Sequence, residues 1–157
     1  SRQTDIEAMA GTLQSLLYEV LSEAGDSITL QNVAVTQLIQ DIPLTILSDK
    51  DKLKIAFMNI IVNAIEAMAN QREGKLLIRV TGKKGYAITE ISDNGCGISS
   101  ENVGKLFEPY YTSKRNGMGL GLASTMNIIQ SHKGFIEVNS ELGKGTTFSV
   151  YLPIYNE

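Results

Sequence analysis

Residues 116–123 read NGMGLGLA, with glycine at 117, 119 and 121 inside an otherwise apolar run. A helical pattern follows at once, with Leu122, Met126 and Ile129 on one stripe. Glycine costs a helix about 1 kcal/mol per residue relative to alanine, so a helix that starts this bare has a reason for it. Glycines leading into a helix N-terminus expose backbone N–H groups with no Cβ in the way, and the helix dipole favours an anion there. The run is not a Walker loop, since it lacks the Gly-Lys-Ser/Thr ending. Just upstream, LFEPYYTSKRN (106–116) brings Lys114 and Arg115 close to the phosphate-type site. An aromatic, charged segment between two glycine boxes reads as a lid over a ligand.

Outward from this stretch, the chain divides into alternating helical and strand patterns. Residues 4–24 carry a helical stripe (Ile6, Met9, Leu13, Leu16, Leu17, Val20, Leu21) that ends in EAGDS. Residues 28–39 and 44–47 are rich in β-branched side chains and read as two strands broken by QDIP. SDKD (48–51) supplies cap residues for a helix over 51–69. LLIRVT and YAITEI, joined by GKKG, read as a hairpin, and FIEVNS with TTFSVYLP as another. Between them, residues 93–119 lack periodicity and hold five of the fourteen glycines; such a stretch in a compact domain is usually functional. The expected fold is α+β, a two-layer sandwich of one mixed, mostly antiparallel sheet with helices on a single face.

On a helical wheel, residues 51–70 show a wide apolar face (Leu53, Phe57, Ile60, Ile61, Ala64, Met68) and a second apolar patch (Ile55, Met58, Val62). Between them runs a polar strip of Lys52, Asn59, Asn63, Glu66 and Asn70. A helix apolar nearly all round is buried, so the strip needs partners. Asn59 and Asn63 either cap neighbouring loops or form a polar wall whose amide oxygens suit a hard cation such as Mg²⁺. At the end of a strand, ISDNGCGI places Asp93 beside Gly95 and Gly97. Asp-Asn-Gly is a common turn. The functional reading is a carboxylate that, accepting only, selects adenine's amino group over guanine's carbonyl. Cys96 in the same turn is a small filler.

The 157 residues suffice for one domain with a proper core. A net charge of −3 gives no footprint for nucleic acid. No apolar run approaches the ~18 residues of a membrane span, and no membrane contact is expected of this domain. The single cysteine fits a reducing compartment. The chain opens at Ser1 directly into helix-like sequence, as a piece of a longer protein would.

Taken together, NIIVNAIEAM, DNGCGI, LFEPYYTSK, GMGLGLA and GKGTTFSVYLP resemble, in order and spacing, the catalytic domains of sensor histidine kinases. The wording is closest to the nitrogen-regulator type. These domains belong to a superfamily with type II topoisomerase, mismatch-repair and chaperone ATPases and share its Bergerat ATP-binding fold. The resemblance covers roughly residues 12–154. It implies ATP and Mg²⁺ as cofactors, with Asn63 on the metal and Asn59 supporting it one turn earlier. Asp93 would bind the adenine amino group, in a pocket shaped by Gly95, Gly97 and Ile98. Phe107 would anchor the lid, and Lys114 would contact phosphate. Gly117, Gly119, Leu120, Gly121 and Leu122 would surround the phosphates, and Thr146 or Thr147 would back the adenine.

The same resemblance implies that residues 1–11 end a preceding dimerisation helix and residues 12–157 form the catalytic domain. The γ-phosphoryl would pass to a histidine on a separate dimerisation and phosphotransfer domain, and from there to a response-regulator receiver domain. The domain would be cytoplasmic, alone or as part of a membrane-bound sensor. The related conformational ATPases carry a glutamate base four residues before the metal-binding asparagine; here that place is Asn59, which disfavours efficient hydrolysis. His132, the only histidine, sits where the family has a turn histidine, and reads as structural rather than as the phosphoacceptor. Lys133 stands where the family often has glycine, which leaves that turn's geometry open.

Overall fold

The computed structural model describes residues 6–109 and 119–156. Its main sheet has five strands: β2 (Val33–Ile39), β4 (Gly74–Lys83), β5 (Tyr86–Asp93), β7 (Gly145–Pro153) and β6 (Phe135–Glu141), in that spatial order. β2 runs parallel to β4, with Val33 opposite Gly74 and Ile39 opposite Val80. The other pairings are antiparallel. A parallel pair needs a crossover, usually helical, and here it contains α2 (Lys50–Ala67). In the helix layer α2 lies between α1 (Leu13–Leu30) and α4 (Gly119–Ser131). This is the two-layer architecture expected from the sequence.

The core is the seam between the layers. Leu76, Ile78 and Val80 of β4, Ile91 of β5 and Phe148, Val150 and Leu152 of β7 face Leu53, Phe57, Ile60 and Ile61 of α2, all buried. Strand residues of the opposite parity form the outer face, where Phe135 stacks on Tyr151 at 4.3 Å and Arg79 meets Glu90 at 2.9 Å.

Three local expectations are corrected. The helix expected from residue 4 begins at Leu13, capped by Thr12, whose hydroxyl accepts the Ser15 N–H. Met9–Thr12 is instead a short strand, β1, paired antiparallel with β3 (Thr45–Ser48) in a separate two-stranded sheet. Its Met9 is exposed, so the apolar stripe never continues into it. At the other end α1 does not stop at EAGDS but runs through Ile28 to Leu30. Ile28 packs on the core one turn beyond buried Ala24, and that burial overrides the β preference of the segment. Asn32, in the left-handed conformation (φ 55°), ends the helix. Finally, α2 is not enclosed all round. Ile55 is 52% exposed, because α1 and α4 flank the helix and leave its outer side open.

One core position carries a hydroxyl without a use. Thr89 on β5 is fully buried and its Oγ1 has no hydrogen-bond partner among the described residues. A buried unsatisfied hydroxyl costs about 1–3 kcal/mol. Thr89→Val, near-isosteric, is expected to raise the stability measured by urea unfolding by about 1 kcal/mol; an unchanged or lower midpoint would show that the hydroxyl is satisfied in solution.

Candidate functional site

α2 and α4 run antiparallel, and polar contacts join them at both ends. Asp49 caps α2 with its side chain on the Lys52 N–H. Two and a half turns later Asn59 donates from Nδ2 to the Gly121 carbonyl and to Thr125 Oγ1, both at 3.2 Å. Thr125 Oγ1 in turn donates to the Gly121 carbonyl at 2.7 Å. Asn63 Nδ2 donates to the Asn59 carbonyl. Asn59 thus both holds the first turn of α4 and belongs to a polar wall. Among the described residues no hydrogen bond engages Oδ1 of Asn59 or of Asn63. Two amide oxygens therefore stand one turn apart on α2, that of Asn59 beside the first turn of the glycine-box helix.

The second half of the site is the end of β5. Asp93 is buried and its Oδ1 accepts the Gly95 N–H at 2.8 Å, which fixes the carboxylate. The loop behind it is tied on two sides. The Cys96 N–H donates to the Ala67 carbonyl at the end of α2, and the Cys96 carbonyl accepts the Gly143 N–H from the β6–β7 turn. Ile98 N–H donates to Ser140 Oγ at 2.8 Å. A Cβ on Gly95 would strike the Ala67 carbonyl, and one on Gly97 the Glu141 carbonyl; Gly97 is also left-handed, at φ 74°. These two glycines admit this chain's own backbone, and so hold the Asp93 turn between helix and hairpin.

Thr146 is registered opposite Asp93 and is buried beside it, bonded to Ser140 Oγ at 2.7 Å. Thr147 points to the other face of the sheet, where its hydroxyl meets Ser92. Of the two, only Thr146 shares the carboxylate's face. An open cleft of about 420 Å³ lies at this end of the sheet, lined in part by Asp93, Lys144, Thr146 and Thr147. Leu122 is buried in the core, and Phe107 packs on the core beside buried Leu106. Gly119 and Leu120 open α4. Lys114 and Gly117, with most of the expected lid, lie outside the described residues. The part that is described, up to Pro109, contains a short helix, α3 (Ser100–Val103), capped by Ser99. Sequence reading missed Thr125 and Ser140, hydroxyls in a mostly apolar helix and an edge strand.

Residues 48–156 match the family model described as histidine kinase-, DNA gyrase B- and HSP90-like ATPase. The chain belongs to that family. Within it the chain sides with the sensor histidine kinases. It is 32% identical over 155 residues to the sensor histidine kinase ZraS of Escherichia coli (strain K12), covering 98% of this chain and 32% of that protein. It is 35% identical over 153 residues to sporulation kinase E of Bacillus subtilis (strain 168), covering 90% of this chain and 20% of that protein. The chain therefore spans about a fifth to a third of these relatives. The catalytic domain of the histidine kinase ThkA superposes with a TM-score of 0.84 at 27% identity, covering 95% of this chain and 97% of that one.

In this kinase-type domain His132 sits at the C-terminal end of α4, about 20 Å along the helix from the glycine turn. Both ring nitrogens are engaged by backbone: Nε2 accepts the Asp49 N–H at 3.0 Å, and Nδ1 is 2.8 Å from the Ile128 carbonyl. Because Nε2 accepts, Nδ1 carries the proton, and the ring is neutral. Lys133 beyond it adopts the left-handed conformation at φ 62°, so the turn keeps a glycine-like shape without glycine. A cavity of about 590 Å³ opens here, lined by Ile6, Leu47, His132 and Tyr155 among others; among the described residues no carboxylate lines it.

Burial pushes the His132 pKa below its ordinary value, outweighing the Ile128 carbonyl and the nearby Asp49, which act the other way. The folded state therefore holds fewer protons than the unfolded one, so this contribution to stability is complete above about pH 6.5 and is lost as pH falls below it. Between pH 7.5 and 5.5 the wild-type urea midpoint should fall more steeply than that of His132→Gln. Parallel slopes would remove His132 from the titration.

Proposed function

We propose that this domain binds Mg²⁺-ATP between the α2 polar strip, the first turn of α4 and the Asp93 turn, and delivers the γ-phosphoryl to a histidine on a separate dimerisation domain. The observation that carries the reading is the pair of amide oxygens on Asn59 and Asn63, engaged by no hydrogen bond among the described residues, with Asn59 bonded to the glycine-box helix. Mg²⁺ takes hard oxygen ligands and is usually held by one or two protein oxygens with phosphates and waters. The residues present fit that pattern, with Asn63 as ligand and Asn59 supporting it. Bound there, the cation would neutralise phosphate charge.

The residues of the chain supply position and electrostatics. Asp93, fixed by the Gly95 N–H, accepts from the exocyclic amino group of adenine, with Thr146 alongside. The N-terminal turn of α4 presents N–H groups and its positive dipole end to the phosphates, and Lys114 adds charge. With the γ-phosphorus held in line, its bond to the bridging oxygen of ADP breaks as the bond to the incoming imidazole nitrogen forms. Hydrolysis is disfavoured by the same geometry. At the place of a glutamate base stands Asn59, an amide that takes no proton near neutral pH and whose Nδ2 is committed to α4.

The partners that follow are the histidine-bearing dimerisation domain and a response-regulator receiver domain; the net charge of −3 gives no footprint for nucleic acid. No helix among the described residues is long and apolar enough to cross a membrane; a cytoplasmic placement, alone or within a membrane-bound sensor, fits the reading.

Asp93→Ala is expected to weaken ATP binding at least tenfold, since a lost hydrogen bond to a charged group costs about 1.5–3 kcal/mol. The wild type should discriminate against GTP. Equal calorimetric affinities for ATP and GTP would sink the adenine assignment. Incubated with labelled ATP, the chain should acquire no acid-labile phosphohistidine until a dimerisation hairpin is supplied, and the label should then sit on the hairpin. Self-labelling abolished by His132→Gln would overturn both the structural role of His132 and the separate-acceptor reading.

A further inference from the structure

We infer that Thr125 is a positioning residue for the metal side of the site, acting through the orientation of the Asn59 amide. Thr125 lies on α4, is fully buried, and reaches neither the Asp93 turn nor any cleft described above. A threonine that donates to the carbonyl four residues back is an ordinary helix feature. What exceeds that here is the second bond, from Asn59 Nδ2 on the neighbouring helix.

The donor inventory settles the arrangement. The Gly121 carbonyl can only accept. Thr125 has one hydroxyl proton, and at 2.7 Å it goes to that carbonyl, so towards Asn59 the hydroxyl also accepts. Two acceptors therefore face the Asn59 amide, each 3.2 Å from Nδ2. The two acceptors lie closer to each other than either lies to Nδ2, so one N–H is shared between them and the second points away. The flipped amide would set Oδ1 against the carbonyl oxygen. A bond to one acceptor is a pivot, whereas an N–H held between two acceptors has its direction fixed. Oδ1 is then left beside Gly121 at the start of α4, on the strip Asn59 shares with Asn63, with no hydrogen bond from the described residues. Together with the Gly121 carbonyl, Thr125 thus holds the orientation in which Asn59 presents Oδ1, without touching a ligand itself.

This inference rests on the Mg²⁺-ATP reading for its consequence but not for its geometry, so two measurements separate them. The first needs no nucleotide: the Asn59 side-chain NH₂ signals of the chain in solution, compared between wild type, Thr125→Val and Thr125→Ser. Valine keeps the shape and removes the acceptor; serine keeps the acceptor. In Thr125→Val, one NH₂ proton should exchange with water at least severalfold faster, and Thr125→Ser should match the wild type. Identical exchange in the valine variant would overturn the inference. The second is calorimetry of ATP with and without Mg²⁺. Thr125→Val should reduce the gain in affinity brought by Mg²⁺ three- to tenfold while metal-free affinity stays unchanged, and serine should restore the gain. Equal losses with and without Mg²⁺ would mark Thr125 as merely structural and overturn the positioning role. A wild type that gains nothing from Mg²⁺ would instead overturn the Mg²⁺-ATP reading, leaving the amide geometry to be judged by the exchange measurement.

Discussion

The antiparallel contact between α2 and α4 is the constraint on which the rest of this structure depends. The glycine-box helix begins with residues that favour helix least, so its first turn needs support from outside itself. That support comes at both ends from α2: Asn59 on the Gly121 carbonyl and Thr125 at one end, and the Asp49 N–H on His132 at the other. Between the two polar contacts the helices meet through apolar side chains such as Leu122 and Ile129 on α4. A helix pinned in this way can leave its N-terminal N–H groups uncovered, which is the property an anion site requires.

The sheet contributes the other fixed point. β5 ends at Asp93 in the middle of the sheet, between β4 and β7, so the carboxylate sits on rigid backbone rather than on a free loop. The turn beyond it is gripped by the end of α2 through Ala67 and by the β6–β7 hairpin through Ser140 and Gly143. Both halves of the site therefore refer to α2. Its Asn59 bonds to α4, and its C-terminal carbonyl holds the Asp93 turn, so base and phosphates of a nucleotide would be measured from one helix.

The layers of the fold were legible in the sequence because they rest on periodicity: the apolar face of 53–68 and the alternation in TTFSVYLP are local signals of burial. The errors fall where long-range contacts decide. Ile28 sits in a β-branched stretch but stays helical because it reaches the core, and Met9–Thr12 is a strand only because β3 offers it a partner. In the site, Asn59, Asn63 and Asp93 stood out as polar residues in apolar or strand-end settings, and the structure places the asparagines on one strip. Gly95 and Gly97 announce close backbone approach in the sequence, but which backbone approaches was not legible, since the carbonyls lie far along the chain, at Ala67 and Glu141. Thr125 looked like any helical threonine until its partner on α2 was known.

The central claim is that metal and phosphates gather at the Asn59–Asn63 strip and not at the His132 end of α4. Mn²⁺ accepts the same hard ligands as Mg²⁺ and broadens the NMR signals of nuclei near it. Titrating the ¹⁵N-labelled chain with ATP and trace Mn²⁺ should broaden the side-chain NH₂ signals of Asn59 and Asn63 first and most. The His132 ring signals, about 20 Å along α4, should be the less affected. Broadening centred on His132 and its cavity, with the two asparagine amides left sharp, would contradict the account.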